Sequence, residues 1–353
     1  MGVGRLLRLN GLKHKQLFYS TLLDWYRNYG RDLPWRRTRD PYAIFVSEFM
    51  LQQTQVASVV PYYEAWLRRF PDFDALARAS ENDVLHAWQG LGYYARARNL
   101  HVAAKIIATK HRGHCPQDVD ELRSLPGIGR YTANAIVSFA FNQPVPVVDA
   151  NIARLLARLF NIRLPIDSAA GRDSVWNLAS RLINQSEARD FNSALMDLGA
   201  TICVPRAPKC GICPVKKFCQ AKNPQMLPIK KARPPLKRVV ETHAFIVRQN
   251  KILLEQSSRR WRGVWILPLI SAPTGKRAIH KSIFPFTNHR VTLRILAESP
   301  PKIDRCRQRW MDIHSLDSIP IPSPHRRAIA DVLMAARAAK PRQRRPSALS
   351  VGR

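Results

Sequence analysis

No run of about 18 consecutive apolar residues occurs in this chain, so no segment of it is long and apolar enough to span a bilayer as a helix. Acidic residues are scarce: 25 Asp and Glu stand against 57 Lys and Arg among 353 residues, a formal charge of +32. A surplus of that size repels itself in a compact fold unless a polyanion neutralises it. Nucleic acid is the natural partner, with a membrane surface or the ribosome as rivals. Cysteine is scarce too. The six fall at 115, 203, 210, 213, 219 and 306, and four crowd into one short stretch, unlike a disulfide framework; a reducing compartment fits better. Met1 to His14 scatters Arg5, Arg8 and Lys13 among leucines without a compact apolar core or a small-residue cleavage site, and reads as a basic arm.

What is present describes an ordinary globular protein, 46% hydrophobic and 23% charged, and long enough for two cores. From about Gln16 to Leu198 apolar residues recur at helical spacing, with Pro or Gly in the breaks, so this half reads as all helix. Between Gln225 and Arg238 the text becomes PIKKARPPLKR, an extended and solvated connector that marks a domain boundary. Beyond it come short β-rich runs, Val239 to Val247 and Lys251 to Leu254 around the turn Arg248-Gln249-Asn250, then Val291 to Leu296. A last helix starts at Ser323 with Pro324 in its first turn and turns Ile329, Val332 and Leu333 inward. The basic stretch from 339 to the end has too few apolar residues to fold.

Three constellations carry chemistry. The four thiols Cys203, Cys210, Cys213 and Cys219 sit in one Pro-rich loop with spacings of six, two and five residues between them. Four-cysteine zinc sites comprise two close pairs; only one close pair occurs here, and a cubane iron-sulfur cluster, with one thiolate per corner, tolerates such a one-sided loop. Arg206, Lys209, Lys216 and Lys217 around it suit phosphates, so the cluster is expected to brace a DNA-facing loop. Next, Leu125-Pro126-Gly127-Ile128-Gly129-Arg130 lies between helical stretches. Two glycines free to take positive φ let backbone N–H groups point outward at a helix N-terminus, where a phosphate can bind. Last, Glu48 is the only charged side chain from Pro41 to Tyr63, and Asp149 the only one from Tyr131 to Ala153. Carboxyls in apolar surroundings hold a proton near neutrality, although Asp149 could simply cap a helix near Asn151. Two such groups are the kit for cleaving a glycosidic bond.

Taken in order, Leu33-Pro34-Trp35-Arg36, Val46 to Val56 with Glu48, Gln53 and Thr54 inside it, Gly90-Leu91-Gly92-Tyr93-Tyr94, the hairpin, Val147 to Asn151 and the four cysteines resemble the MutY-type adenine DNA glycosylases. The resemblance runs from about Leu17 to Lys237 and continues more weakly beyond. It implies an all-α helix-hairpin-helix glycosylase domain with an iron-sulfur cluster loop (residues 1–224), a linker (225–238), a smaller α+β MutT/Nudix-like domain (239–337) and a disordered basic tail (338–353). A six-helix barrel is implied for roughly residues 32–145, with the iron-sulfur part built from both flanks.

The implied reaction removes adenine mispaired with 8-oxoguanine or guanine in double-stranded DNA, with Glu48 protonating the base, Asp149 stabilising the sugar cation, and Tyr131 and Asn151 orienting carboxylates and water. Gln53, Thr54, Leu91, Tyr93, Gly127 and Gly129 are implied DNA contacts, Gln53 and Tyr93 as the wedge. A [4Fe–4S] cluster is the implied cofactor, on Cys203, Cys210, Cys213 and Cys219. A monomer is implied, with no membrane partner, in the cytoplasm if the source is bacterial. Relatives acting as lyases carry a lysine where Tyr131 stands, which implies a monofunctional enzyme and argues against an endonuclease III-like or thymine-mismatch rival. Departures are Asn134 and Ala150, each where the family usually has Gly. In the second domain Gly263 to Pro268 echoes the MutT-like strand motif, and the row of metal-binding glutamates of a Nudix hydrolase is missing. Thr287-Asn288-His289 stands where Phe-Ser-His is usual, so Asn288 and His289 are the implied readers of 8-oxoguanine, without the aromatic.

Overall fold

The computed structural model describes residues 12–232, 234–271, 276–298 and 306–338. Most of the basic arm and the basic tail lie outside the described residues. The chain divides into two compact units, one holding the residues up to Ala87 together with Arg96–Arg233, the other Trp88–Ala95 together with the chain from Pro234 onward. The division near residue 233 falls inside the proline-rich connector. The assignment of Trp88–Ala95 to the second unit has no counterpart in the sequence pattern.

The first unit is helical. Its elements are α1 (Leu12–Tyr29), α2 (Pro41–Leu51), α3 (Val56–Arg69), α4 (Phe73–Arg78), α5 (Glu81–Ala87), α6 (Ala95–Lys110), α7 (Val119–Ser124), α8 (Arg130–Phe141), α9 (Ala150–Leu159), α10 (Ala169–Leu182) and α11 (Ala188–Asp197). Where six barrel helices were expected, seven helical segments run from α2 to α8, two of them only six residues long. A separate core joins Phe18 and Leu22 of α1 to Leu156, Leu182 and Phe191 of α9, α10 and α11, and to Val215 and Phe218 of the cysteine loop. Both chain flanks therefore build that part, because α1 packs on α11.

α2 is fixed at both ends. Asp40 accepts from the amides of Tyr42 (3.0 Å) and Ala43 (3.2 Å) with Pro41 in the first turn, satisfying amides that lack helical partners. At the other end the buried Arg96 guanidinium donates to the carbonyls of Phe49 (3.1 Å), Met50 (2.8 Å) and Gln52, and to Thr54 Oγ1 (3.0 Å). α2 lies against α8.

In the second unit β1 (Lys237–Phe245), β2 (Val247–Arg248), β3 (Lys251–Gln256), β4 (Trp265–Ile266), β5 (His280–Phe286), β6 (His289–Ala297) and β7 (Gln308–Asp312) form two sheets, with α12 (Ser323–Ala338) packed on β5. β6 lies between β1, to which it is parallel, and β5, to which it is antiparallel; β3 pairs with β2, β4 and β7. α12 begins at the expected serine and buries Ile329 fully, Val332 and Leu333 by half.

Candidate active site

A cavity of about 630 Å³ opens in the first unit, lined among others by Trp35, Arg36, Glu48, Gln53, Tyr131, Asp149 and Asn151. The α2–α8 contact sets Glu48 against Tyr131, the second residue of α8. Glu48 is 3% exposed. The Tyr131 hydroxyl is hydrogen-bonded to it, and its Oε2 has no partner. Burial, and then the charge of Asp149, push the Glu48 carboxyl up to about 7, against the pull of the Tyr131 bond and of Arg36. Half of such a group is protonated at neutral pH, the state a general acid needs. Burial also raises the half-buried Asp149, opposed by its hydrogen bonds.

Asp149 is the N-cap of α9 and accepts from the Ile152 amide at 2.6 Å. The capping and catalytic readings of this residue are compatible: one oxygen caps, the other accepts from Asn151 Nδ2 at 2.8 Å. Asn151 Oδ1 in turn accepts from Arg154 Nη2 (2.8 Å), which also donates to the Gly199 carbonyl (2.7 Å), while Arg154 Nε donates to the Cys203 carbonyl (2.9 Å). A continuous hydrogen-bonded path thus joins Asp149 to the first cysteine of the loop. Gly199 is required here, since a Cβ would come within 2.9 Å of Asn151 Cβ. Asn134 donates to the Pro146 carbonyl (2.8 Å), tying down the segment that leads to Asp149.

Several groups escaped the sequence reading. Asp197 is wholly buried and holds Arg31 and Arg36. It is the only charge between Asp190 and Arg206, so the isolation that singled out Glu48 would have found it. Arg96 and Arg154 sit in helices rich in arginine, and nothing in the spacing sets them apart.

The hairpin between α7 and α8 differs from expectation. Only Gly127 has positive φ (79°), and a Cβ there would meet Asn99 at 2.8 Å. Gly129 is extended and is the N-cap of α8, with open space where its Cβ would be. Open space over a helix N-terminus is what a bound phosphate needs. Gln53 is exposed at φ 57°, a strained turn without core packing. Thr54 is half-buried and anchors that turn through Arg96. Leu91 is packed away at 6% exposure.

Within the second unit Tyr93, at φ 47°, stacks on Phe286 with centroids 6.1 Å apart and planes 26° apart. Phe286 ends β5, immediately before Thr287. Asn288 is half-buried with Oδ1 unpartnered, its carbonyl accepting from the Lys237 amide at 3.0 Å; His289 starts β6.

Burial, with the other three thiols of the loop adding to it, pushes Cys213 up to about 11. Arg158, fully buried, brings Nη1 to 3.3 Å from Cys203 Sγ and spans the carbonyls of Cys203, Val204, Pro205 and Leu227. Four soft donors beside a buried cation fit a thiolate-ligated, negatively charged group. Among the described residues no three metal-binding side chains close on a single ion.

The description "HhH-GPD superfamily base excision DNA repair protein" matches residues 46–173, and "Iron-sulfur binding domain of endonuclease III" matches 203–219. The cysteine loop is thus an iron-sulfur binding domain. The chain is 45% identical to the adenine DNA glycosylase of Homo sapiens over 58% of its length, but spans only 39% of that protein. It is 38% identical to that of Buchnera aphidicola subsp. Baizongia pistaciae, over 70% of this chain and 71% of the relative. A thermostable thymine-DNA glycosylase structure superposes with a TM-score of 0.54 at 32% identity, over 59% of this chain and 96% of that one. With a relative at this identity aligned over most of both chains, and both family descriptions falling where the cavity and the cysteine loop lie, the chain belongs to the adenine DNA glycosylase family of helix-hairpin-helix proteins.

Proposed function

We propose that this protein hydrolyses the N-glycosidic bond of adenine mispaired with 8-oxoguanine or guanine in duplex DNA, and leaves an abasic site. The observation that carries the reading is Glu48: a buried carboxyl held near pH 7, with one unpartnered oxygen, in the same cavity as a second carboxyl. A base flipped into the cavity takes the Glu48 proton, which turns adenine into a leaving group. Asp149, kept in place by its α9 amide and Asn151, opposes the charge developing on the sugar. Tyr131 orients Glu48. Among the described residues no lysine lines the cavity, which supports base release without a Schiff base and hence without lyase activity.

Gly127 and Gly129 would seat a DNA phosphate at the start of α8, and Gln53 and Tyr93 would fill the space the adenine leaves. Asn288 and His289, with Phe286 beside them, would read the opposite 8-oxoguanine from a second unit of MutT-like kind. Cys203, Cys210, Cys213 and Cys219 would hold the iron-sulfur cluster, whose contribution is to brace the loop that Arg154 and Arg158 tie to α9.

Duplexes carrying A:8-oxoguanine, A:G and T:G, assayed with and without alkali, test the reading. The expected result is release of adenine, faster opposite 8-oxoguanine, with strand breaks only after alkali. Release of thymine, or a borohydride-trapped enzyme–DNA adduct, would overturn it.

A further inference from the structure

The outer face of the β1–β6–β5 sheet sets cation against cation. The register places Arg238 directly opposite Arg290 and Lys281 directly opposite Arg294. Side chains alternate across a sheet, so these four share a face with Val240, Thr292 and Ile283. The other face is the covered one: Phe284, Val291, Leu293 and Ile295 are buried there and α12 packs on β5. The outer face is covered at the end of β1, where Thr242, Ala244 and Leu296 are buried, and open over the rest, with Val240 61% and Ile283 53% exposed, Arg238, Lys281 and Arg290 exposed and Arg294 half-buried.

Like charges directly across a strand pair are destabilising, and nothing within the sheet relieves these. Glu241 on β1 and Glu298 just beyond β6 are engaged by Arg260 and Lys276, and Asp331 of α12 faces His280. Arg294 donates to the Lys276 carbonyl at 3.2 Å; among the described residues none of the four cations pairs with a carboxylate. A sheet face that pairs like charges without internal counter-ions is built for an external polyanion. Arg290 and Arg294 are four residues apart on β6, about 13 Å at about 3.3 Å per residue, close to the roughly 12 Å width of the DNA major groove.

We propose that this sheet face binds the sugar-phosphate backbone of duplex DNA, with the Arg238–Arg290 and Lys281–Arg294 pairs on phosphates to either side of a groove. The inference rests on the DNA-repair reading above but assigns a second contact surface to the second unit.

The test uses the full chain and an undamaged duplex, with affinity measured over a range of salt. Each phosphate contact contributes about 0.9 to the slope of log affinity against log salt. Replacing Arg238, Lys281, Arg290 and Arg294 together by Gln should lower the slope by about 3 to 4. A variant of equal charge loss on and beside the other sheet, Arg248, Lys251, Arg307 and Arg309 to Gln, should change it by less than about one. Excision at low salt should persist in both. The free sheet variant should melt no lower than wild type, since like-charge pairs have been removed. Acetylation of Lys281, read by mass spectrometry, should be suppressed by DNA while that of Lys251 is not. Equal slope losses in the two variants, or equal Lys281 labelling with and without DNA, would overturn the proposal while leaving the repair reading intact. Wild-type binding without salt dependence would sink that reading as well.

Discussion

The middle of α2 and the end of α11 each bury one carboxylate in an otherwise uncharged stretch, and the surroundings differ in kind. Asp197 receives the Arg31 amide (2.8 Å), Arg31 Nε (2.8 Å) and Nη2 (2.7 Å), and Arg36 Nη1 (3.1 Å) and Nη2 (2.9 Å). Glu48 has Tyr131 on one oxygen and nothing on the other. Burial alone therefore does not mark a functional acid. A carboxylate saturated by two guanidiniums is structural and holds Arg36 in the cavity wall; one left half-bonded beside open space has a proton to give. The histidine pair of the second unit completes the contrast. His243 and His325 are buried edge to face 4.6 Å apart, and burial lowers both, His243 to about 4. Their shift takes them out of the neutral range, whereas that of Glu48 brings it in.

The largest expected effect breaks the contrast from the Glu48 side. Glu48→Gln keeps shape and loses the transferable proton, so single-turnover excision should fall by about 10² to 10⁴, roughly 3 to 5 kcal/mol of barrier, with fold and duplex affinity retained. The wild-type rate should fall as pH rises through about 7. Retention of more than about a tenth of wild-type excision would assign the proton to another group.

From the other side, Asp197→Asn should act on stability. Removing one partner of a buried ionic cluster strands two guanidiniums, and losses of roughly 3 to 5 kcal/mol are typical. Calorimetry should show a lower melting temperature for the first unit. Excision lost without any change in melting would mean that Asp197 acts in the chemistry.

The isolation of Glu48 and Asp149 was legible because a charge alone among apolar residues needs no partner to be noticed. Asp197 shows the limit of that rule: the partners that decide its role lie 161 and 166 residues away in sequence. The cysteine loop was legible because its donors are local. The helical character of the first unit was legible in its periodicity but the number of its segments was not, since α4 and α7, six residues each, are too short to show a helical period. The φ of Gly129 depends on how α8 is capped, which glycine content does not reveal.

A third expectation is a crossing of stability with pH. The folded Glu48 carboxyl titrates near 7, above the ordinary 4.5. Its protonated form is favoured in the fold, so its contribution is fully present below about 4.5 and is lost as pH rises through about 7, up to about 3 kcal/mol in all. Glu48→Gln cannot lose it. Denaturant midpoints should nearly coincide at pH 5, with the variant the more stable at pH 8. The histidines run the other way: their stability is present above 6.5 and lost as pH falls toward about 4. Midpoints that stay parallel from pH 5 to 8 would mean that Glu48 is not desolvated in solution.

The smallest expected effect concerns how a half-bonded acid keeps its partner carboxylate in place. Asp149 owes its orientation to Asn151, and Asn151 to Arg154, whose guanidinium holds Asn151 Oδ1, the Gly199 carbonyl and the Cys203 carbonyl at once. A lysine there keeps the charge but is a point donor, and cannot reproduce the planar fork. Arg154→Lys should therefore loosen Asp149 without removing any reacting group. One lost charge-assisted hydrogen bond corresponds to about 1.5 to 3 kcal/mol at most; with Asp149 still capped by the Ile152 amide, a fall in excision of about tenfold, roughly 1.4 kcal/mol, is expected. Iron content and single-turnover rate, measured on the same preparation, separate the possibilities. Iron retained with slower excision is the expected result. Iron lost with unchanged excision per iron-loaded molecule would show that Arg154 serves the cysteine loop alone and that the path to Asp149 transmits nothing.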